Sequence, residues 1–264
     1  IRYEAMKENL ILETKGVTIN FNGLVAVDNV DFRITEGESV GIIGPNGAGK
    51  TTFFNLLTGF FPPTKGKIFF YGKDITDIPP HKRVMMGMIR TFQLVSVFDS
   101  LTVLDNLLLS IINSSKSPSS KTSFFFSEAH KEALQEVCLN ALKTLGLEQK
   151  AFLMTSELSY GDKRKLEIAV ALSMKPKILL LDEPFAGLSD QEIVEVSHII
   201  KEFKKEFSMI IIEHKISRIV ELVERLSVMH EGRLIAEGIP NQVLCDPIVR
   251  EVYWGKEDGL VCSV

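Results

Sequence analysis

The sequence predicts an α/β fold in which a parallel sheet carries a ligand at the carboxyl ends of its strands, and three observations predict it. A short apolar strand, Ser39-Val40-Gly41-Ile42-Ile43, runs into Gly44-Pro45-Asn46-Gly47-Ala48-Gly49-Lys50-Thr51-Thr52, where Gly44, Gly49, Lys50 and Thr51 meet the phosphate-loop pattern G-x-x-x-x-G-K-[ST]. An unbroken apolar run, Ile178-Leu179-Leu180-Leu181, has the character of a strand buried on both faces and ends in Asp182-Glu183-Pro184. A third strand, Ser208-Met209-Ile210-Ile211-Ile212, leads through Glu213 to His214. Open parallel sheets bind ligands at this edge.

Taken in order, the chain opens with strands. Residues 10–14, 17–21 and 30–34 alternate in the strand manner before a turn at Glu36-Gly37-Glu38, and Lys67–Gly72 adds a further strand after the first helix. These are expected to form a small antiparallel layer beside the main sheet. Phe21 is either an adenine-stacking aromatic or a strand side chain covering the core. In the phosphate loop, glycines let the backbone curl so that successive N–H groups and a helix N-terminus face negative charge. Lys50 adds a full positive charge for the β- and γ-phosphates, and the Thr51 hydroxyl suits a bridging Mg²⁺. The helix that follows, Thr52-Phe53-Phe54-Asn55-Leu56-Leu57, is stopped by Gly59 and Pro62-Pro63.

From Pro79 to Gln93 the pattern gives a short helix and a polar turn, whose Gln93 could hydrogen-bond a metal-bound water. Leu94, Val95, Val97, Phe98 and Leu101 crowd just after it, as a docking surface or as internal packing. Residues 101–112 and 128–145 read as helices, the first opened by Thr102 with Asp105 three residues on. Between them Asn113 to Lys121 is loop chemistry, and Phe124-Phe125-Phe126 is expected to pack back on the helices. Leu158-Ser159-Tyr160-Gly161-Asp162 opens a periodic helix with Leu166, Ala169, Val170 and Ser173 on one face before Pro176. Ser159 and Gly161 read locally as a plain cap or as a second anion site.

The acids at the strand ends carry the chemistry. Asp182 can hold magnesium directly or through water, and Glu183 can polarise the water that attacks the γ-phosphate. His214 is either a γ-phosphate contact that orients that water or a structural strand-end histidine. Residues 226–238 read as a hairpin about Glu231-Gly232, followed by a short helix and a tail.

Composition narrows the class. At 264 residues and 45% hydrophobic, the chain can bury a substantial core. A net charge of −4 argues against a dedicated nucleic-acid binder, and Lys163-Arg164-Lys165 reads as a solvated helix face. Cys138, Cys245 and Cys262 have neither disulfide-framework nor zinc spacing, which suits a reducing compartment and points to the cytosol. No apolar stretch reaches the length of a membrane span, the opening residues show no signal-peptide core, and Met6 is a candidate native start.

Together GPNGAGKTT, RTFQ ending at Gln93, LSYGD, ILLLDE, AGLSD and the histidine of IIEHK, in that order, resemble the ATP-binding subunits of ABC transporters over nearly the whole chain. Within that family the phrases FNGLVAVDNVDF, GPNGAGKTTFFNLLTGF, MIRTFQ, LTVLDN, LSYGDKRKLEIAVAL and IIIEHK are most similar to branched-chain amino acid importer subunits; a urea or amide importer subunit would look alike. A soluble ABC-type ATPase acting on an assembly such as an iron–sulfur scaffold shares the same catalytic set. The chain departs from the usual LSGGQ in Tyr160 and Asp162, and has Phe21 where a tyrosine is usual.

The resemblance implies a P-loop NTPase core with an N-terminal antiparallel β subdomain and a helical subdomain inserted at about residues 94–175, all within one domain of residues 10–255, with a tail of 256–264. It implies ATP and Mg²⁺ as ligands. Phe21 would stack on adenine; Gly44, Pro45, Asn46, Gly47, Ala48, Gly49, Lys50, Thr51 and Thr52 would cradle phosphates; Thr51, Gln93 and Asp182 would serve the metal. Glu183 would be the base and His214 the γ-phosphate contact, with Gln93 and Lys50 completing the catalytic set. Ser159 and Gly161 would reach the nucleotide held by a second ATP-binding subunit, identical or paralogous, with Asp190 at the subunit contact. The further partners implied are integral membrane permease subunits and, indirectly, a solute-binding protein, with the chain peripheral on the cytoplasmic face of the membrane.

Overall fold

A computed structural model describes residues 9–92, 95–114 and 128–254. Gln93, Leu94, the Phe124-Phe125-Phe126 run, Cys262 and the expected tail 256–264 lie outside the described residues. The first half contains β1 (Leu10–Phe21), β2 (Leu24–Thr35), β3 (Ser39–Ile43), α1 (Lys50–Thr58), β4 (Lys65–Phe70), β5 (Lys73–Asp74), α2 (Pro80–Met85) and β6 (Met88–Arg90). Helices α3 (Val103–Ser114), α4 (Glu128–Thr144) and α5 (Tyr160–Ser173) follow, then β7 (Ile178–Asp182), α6 (Asp190–Phe203), β8 (Ser208–Ile212) and α7 (Ile216–Ile219). The hairpin β9 (Arg225–His230) and β10 (Arg233–Gly238) precedes α8 (Pro240–Leu244) and α9 (Pro247–Trp254).

β3, β8, β7 and β6 run parallel in a six-stranded sheet of order β10-β9-β3-β8-β7-β6, closed on one side by the antiparallel β9–β10 hairpin. β3, β7 and β8 are buried along their whole length. Because side chains alternate across a sheet, one set (Ile42, Leu180, Ile210, Ile212) packs with Phe53, Phe54 and Leu57 of α1 and with Ile19 and Phe32 of the second sheet. The other set (Leu179, Leu181, Met209, Ile211) packs with Leu166 of α5 and Ile193, Val196 and Ile199 of α6. Each such Leu or Ile contributes roughly 1.5–3 kcal/mol by leaving water. The second sheet, β2-β1-β4-β5, is antiparallel as expected.

Several expectations need correcting. Residues 10–21 form one strand, not two, because Gly16 at φ +56° absorbs a break in pairing between Thr14 and Val17. Strand β2 starts at Leu24, since Asn22 and Gly23, both at positive φ, close a tight hairpin. Tyr71 and Gly72 turn the chain out of β4 in the same way. Strand β6 was not expected: three residues are too few for a periodic pattern. Cys138 is buried and free.

Candidate active site

The phosphate loop is wedged between two backbones. A side chain at Gly44 would stand 2.2 Å from the Met229 carbonyl oxygen, and one at Gly49, φ +96°, 2.4 Å from that of Ala26. The Ala48 carbonyl accepts from Gly232 N–H at 3.0 Å, and the Gly232 carbonyl accepts from Asp28 N–H at 2.9 Å. Strand β2 and the Glu231-Gly232 turn thus fix the loop from behind, while Gly47, φ +79°, faces open space. Helix α1 has no side-chain cap and no acid in its first turn, so its first N–H groups and its dipole are left for an anion. Lys50 is buried and donates to the carbonyls of Gly44 at 2.7 Å and Pro45 at 3.0 Å. Burial lowers its pKa, opposed by the charges of Glu183 and Asp182. Thr51 is exposed and Thr52 half-buried.

Parallel register brings the acids to the same edge, with Asp182 paired to Ile212. Asp182 is 2% exposed; its Oδ2 accepts from Arg90 Nη2 at 2.6 Å, whereas its Oδ1 is buried with no hydrogen-bond partner. An unsatisfied buried carboxylate oxygen with the exposed Thr51 hydroxyl is an all-oxygen donor set, which fits Mg²⁺. Arg90 is anchored by Asn55 Oδ1 at 2.7 Å and lies over the rings of Phe54 and Phe92. Glu183 adopts φ +47°, a left-handed conformation uncommon for a residue with a side chain, and its Oε1 is 2.9 Å from His214 Nε2. The turn into His214 is set by Glu213, whose carboxylate accepts from the N–H groups of Phe185, His214 and Lys215.

Phe21, 41% exposed at the end of β1 and edge-to-face with Phe61 at 5.4 Å, does not cover the core. Ser159 is exposed and caps α5 by accepting from Asp162 N–H at 3.2 Å. Gly161 packs against α6, where an added side chain would stand 2.1 Å from Glu192 Oε1. Asp162 is buried and takes bonds from Ser159, Lys150 and Lys165; burial alone would raise its pKa, but these donors bring it below the usual value. Asp190 is exposed at the start of α6. The crowded run after residue 93 divides: Val97 packs on the core, while Phe98 is 62% exposed. Lys163-Arg164-Lys165 is not a solvated face, since Arg164 is fully buried and Lys165 nearly so. Sequence reasoning also missed Glu213 and the roles of Arg90, Arg164 and Glu167.

A glycine loop feeding a helix, beside a buried aspartate and a glutamate–histidine pair at the carboxyl edge of a parallel sheet, defines a P-loop nucleotide-hydrolysing domain. The ABC transporter family profile matches residues 27–186, and the chain belongs to that family. It is 37% identical over 256 residues to the high-affinity branched-chain amino acid transport ATP-binding protein LivG of Escherichia coli strain K12, covering 93% of this chain and 98% of LivG. It is 36% identical over 257 residues to BraF of Pseudomonas aeruginosa, of the same description, covering 93% and 98%. Among solved structures, the ADP conformation of an ABC-transporter ATP-binding cassette superposes with TM-score 0.80 at 34% identity over 94% of this chain and 99% of that one. A dimeric post-hydrolysis cassette bound to ADP and Pi superposes with TM-score 0.75 at 25% identity, over 87% and 99%. The chain is an ATP-binding cassette with the ATPase fold of its family.

Proposed function

We propose that this chain powers uptake of branched-chain amino acids through separate membrane subunits, hydrolysing ATP at the carboxyl edge of its six-stranded sheet. The observation that carries the hydrolytic reading is the Glu183–His214 pair, 2.9 Å apart and one residue beyond the buried Asp182. The phosphates lie along the Gly44–Thr52 loop, and Lys50 exchanges its bonds to the Gly44 and Pro45 carbonyls for β- and γ-phosphate oxygens. Thr51 and the unpartnered oxygen of Asp182 would hold Mg²⁺, which Gln93 would serve through water, and the ion would supply charge neutralisation for the phosphates. Glu183 accepts a proton from the attacking water, and His214, hydrogen-bonded to it, orients the water and contacts the γ-phosphate. The exposed Phe21 stacks on adenine.

The loop binds one face of the nucleotide only. Ser159 and Gly161 open α5, and in this reading the second face is covered by the α5 N-terminus of another cassette, in a two-fold dimer with Asp190 at its contact. A dimeric relative that holds ADP and Pi supports this arrangement. Among the described residues no helix is long and apolar enough to cross a membrane; likeness to transport ATP-binding proteins supports a translocation path in other chains, with this one peripheral on the cytoplasmic face. Likeness to LivG and BraF over nearly full length supports branched-chain amino acids as the solute, delivered by a solute-binding protein. The test is purification from detergent-solubilised membranes, followed by ATPase assays on the complex. Integral membrane partners and turnover stimulated by leucine or isoleucine are expected; a soluble complex alone would contradict the transport reading.

A further inference from the structure

Arg164 and Glu167 lie on α5, the helix that Ser159 caps, and both are buried, at 0% and 5% exposure. The Arg164 guanidinium is fully engaged. Its Nε donates to the Pro184 carbonyl at 3.1 Å, and Nη2 donates to those of Asp182 at 3.2 Å and Glu183 at 2.6 Å. Its Nη1 donates to the Phe92 carbonyl at 2.7 Å and to Glu167 Oε2. Glu167 Oε1 in turn accepts from the N–H groups of Phe92 and Ser96, each at 3.3 Å. One side-chain pair therefore ties three segments together: the helix behind Ser159, the backbone on either side of residues 93 and 94, and the carbonyls of residues 182–184.

A buried ion pair contributes little net stability, because desolvation offsets its attraction, so its worth lies in geometry. The geometry here concerns Glu183, whose left-handed backbone is costly for a residue with a side chain and persists only where its surroundings dictate it. The planar fork of an arginine, held in orientation by Glu167, grips the carbonyls on both sides of that strained residue. We propose that Arg164, oriented by Glu167, is a positioning residue that holds the Glu183 backbone in its hydrolytic conformation and transmits displacement of α5 or of the Phe92 and Ser96 backbone to it. The proposal rests on the reading of Glu183 as the base.

A double-mutant cycle on the full chain tests it, with kcat and KM for ATP measured for Arg164→Lys, Glu183→Gln and the double variant. Lysine keeps the charge but lacks the planar fork whose separate nitrogens reach the Phe92, Asp182, Glu183 and Pro184 carbonyls together. Arg164→Lys is expected to lower kcat on the order of 10²-fold, the loss typical of a misplaced catalytic group, with KM unchanged. Added to Glu183→Gln it is expected to lower the residual single-turnover rate no further, because the group it positions is already gone. An equal fold-loss in both backgrounds, or a raised KM with kcat intact, overturns the proposal. Glu183→Gln alone hydrolysing at the wild-type rate would instead remove the base reading, so the two failures are distinct. If Arg164→Lys does not fold, Glu167→Gln replaces it in the cycle, where additivity with Glu183→Gln again overturns the proposal.

Discussion

Glu183 and Lys50 stand within one electrostatic neighbourhood yet have separable duties. Glu183→Gln keeps the side chain's shape but cannot accept a proton, so turnover should fall by about 10²- to 10⁴-fold with ATP affinity retained. Lys50→Ala removes the buried cation facing the phosphates and should weaken binding itself. Steady-state hydrolysis and equilibrium nucleotide binding on each variant separate the two effects; wild-type turnover in Glu183→Gln excludes it as base. Phe98, exposed while its neighbour Val97 packs inward, is suited to meet a membrane subunit. Phe98→Asp should lose association and transport while the isolated chain keeps its melting temperature and basal ATPase; lost stability would assign Phe98 to the core, and unchanged transport would end the docking idea. Lys50, Asp182, Glu183 and His214 were legible because each stands at a fixed offset from a strand end. Arg90, Arg164, Glu167 and Glu213 were not, because a lone charge carries no pattern that tells a solvated side chain from a buried, paired one. Only tertiary packing shows that the Asp182 carboxylate, the residue 182–184 carbonyls and the turn into His214 each need a buried partner.

At the scale of elements, the C-terminal end of α1 shows how the loop-bearing helix is held. Arg83, 1% exposed, donates to the carbonyls of Leu56 and Leu57 at that end and to those of Ile75, Thr76 and Ile78, at 2.7–2.9 Å. Burial lowers its pKa to about 10, with Asp77 opposing the shift, so it stays charged at neutral pH. Arg83→Met keeps much of the volume and removes every donor. Since a buried unpaired carbonyl costs roughly 1–3 kcal/mol, unfolding stability should drop by at least about 3 kcal/mol, read as a lower urea midpoint. A midpoint unchanged from wild type would show that water replaces the guanidinium. Element type was legible wherever the apolar pattern was long: β3, β7 and β8 announce themselves by uninterrupted burial. The misses cluster where a single residue changes the path, as at Gly16, Asn22-Gly23 and Tyr71-Gly72, or where a strand has three residues, as in β6.

For the whole molecule, the order of motifs along the chain was the most legible feature, because six short patterns in sequence specify far more than any one of them. The solute was not, since it touches other chains. In the proposed cycle each ATP is closed between the Gly44 loop of one cassette and the Ser159 helix of another, so that binding assembles the motor and hydrolysis releases it. Nucleotide that binds only the closed pair must stabilise that pair by mass action. The most direct measurement is the solution mass of Glu183→Gln, with and without ATP and Mg²⁺, beside the same protein carrying Ser159→Arg. The predicted result is a monomer without nucleotide, a dimer with ATP and Mg²⁺, and no shift in the Ser159→Arg protein; a monomer in every condition, membrane partners included, would contradict it.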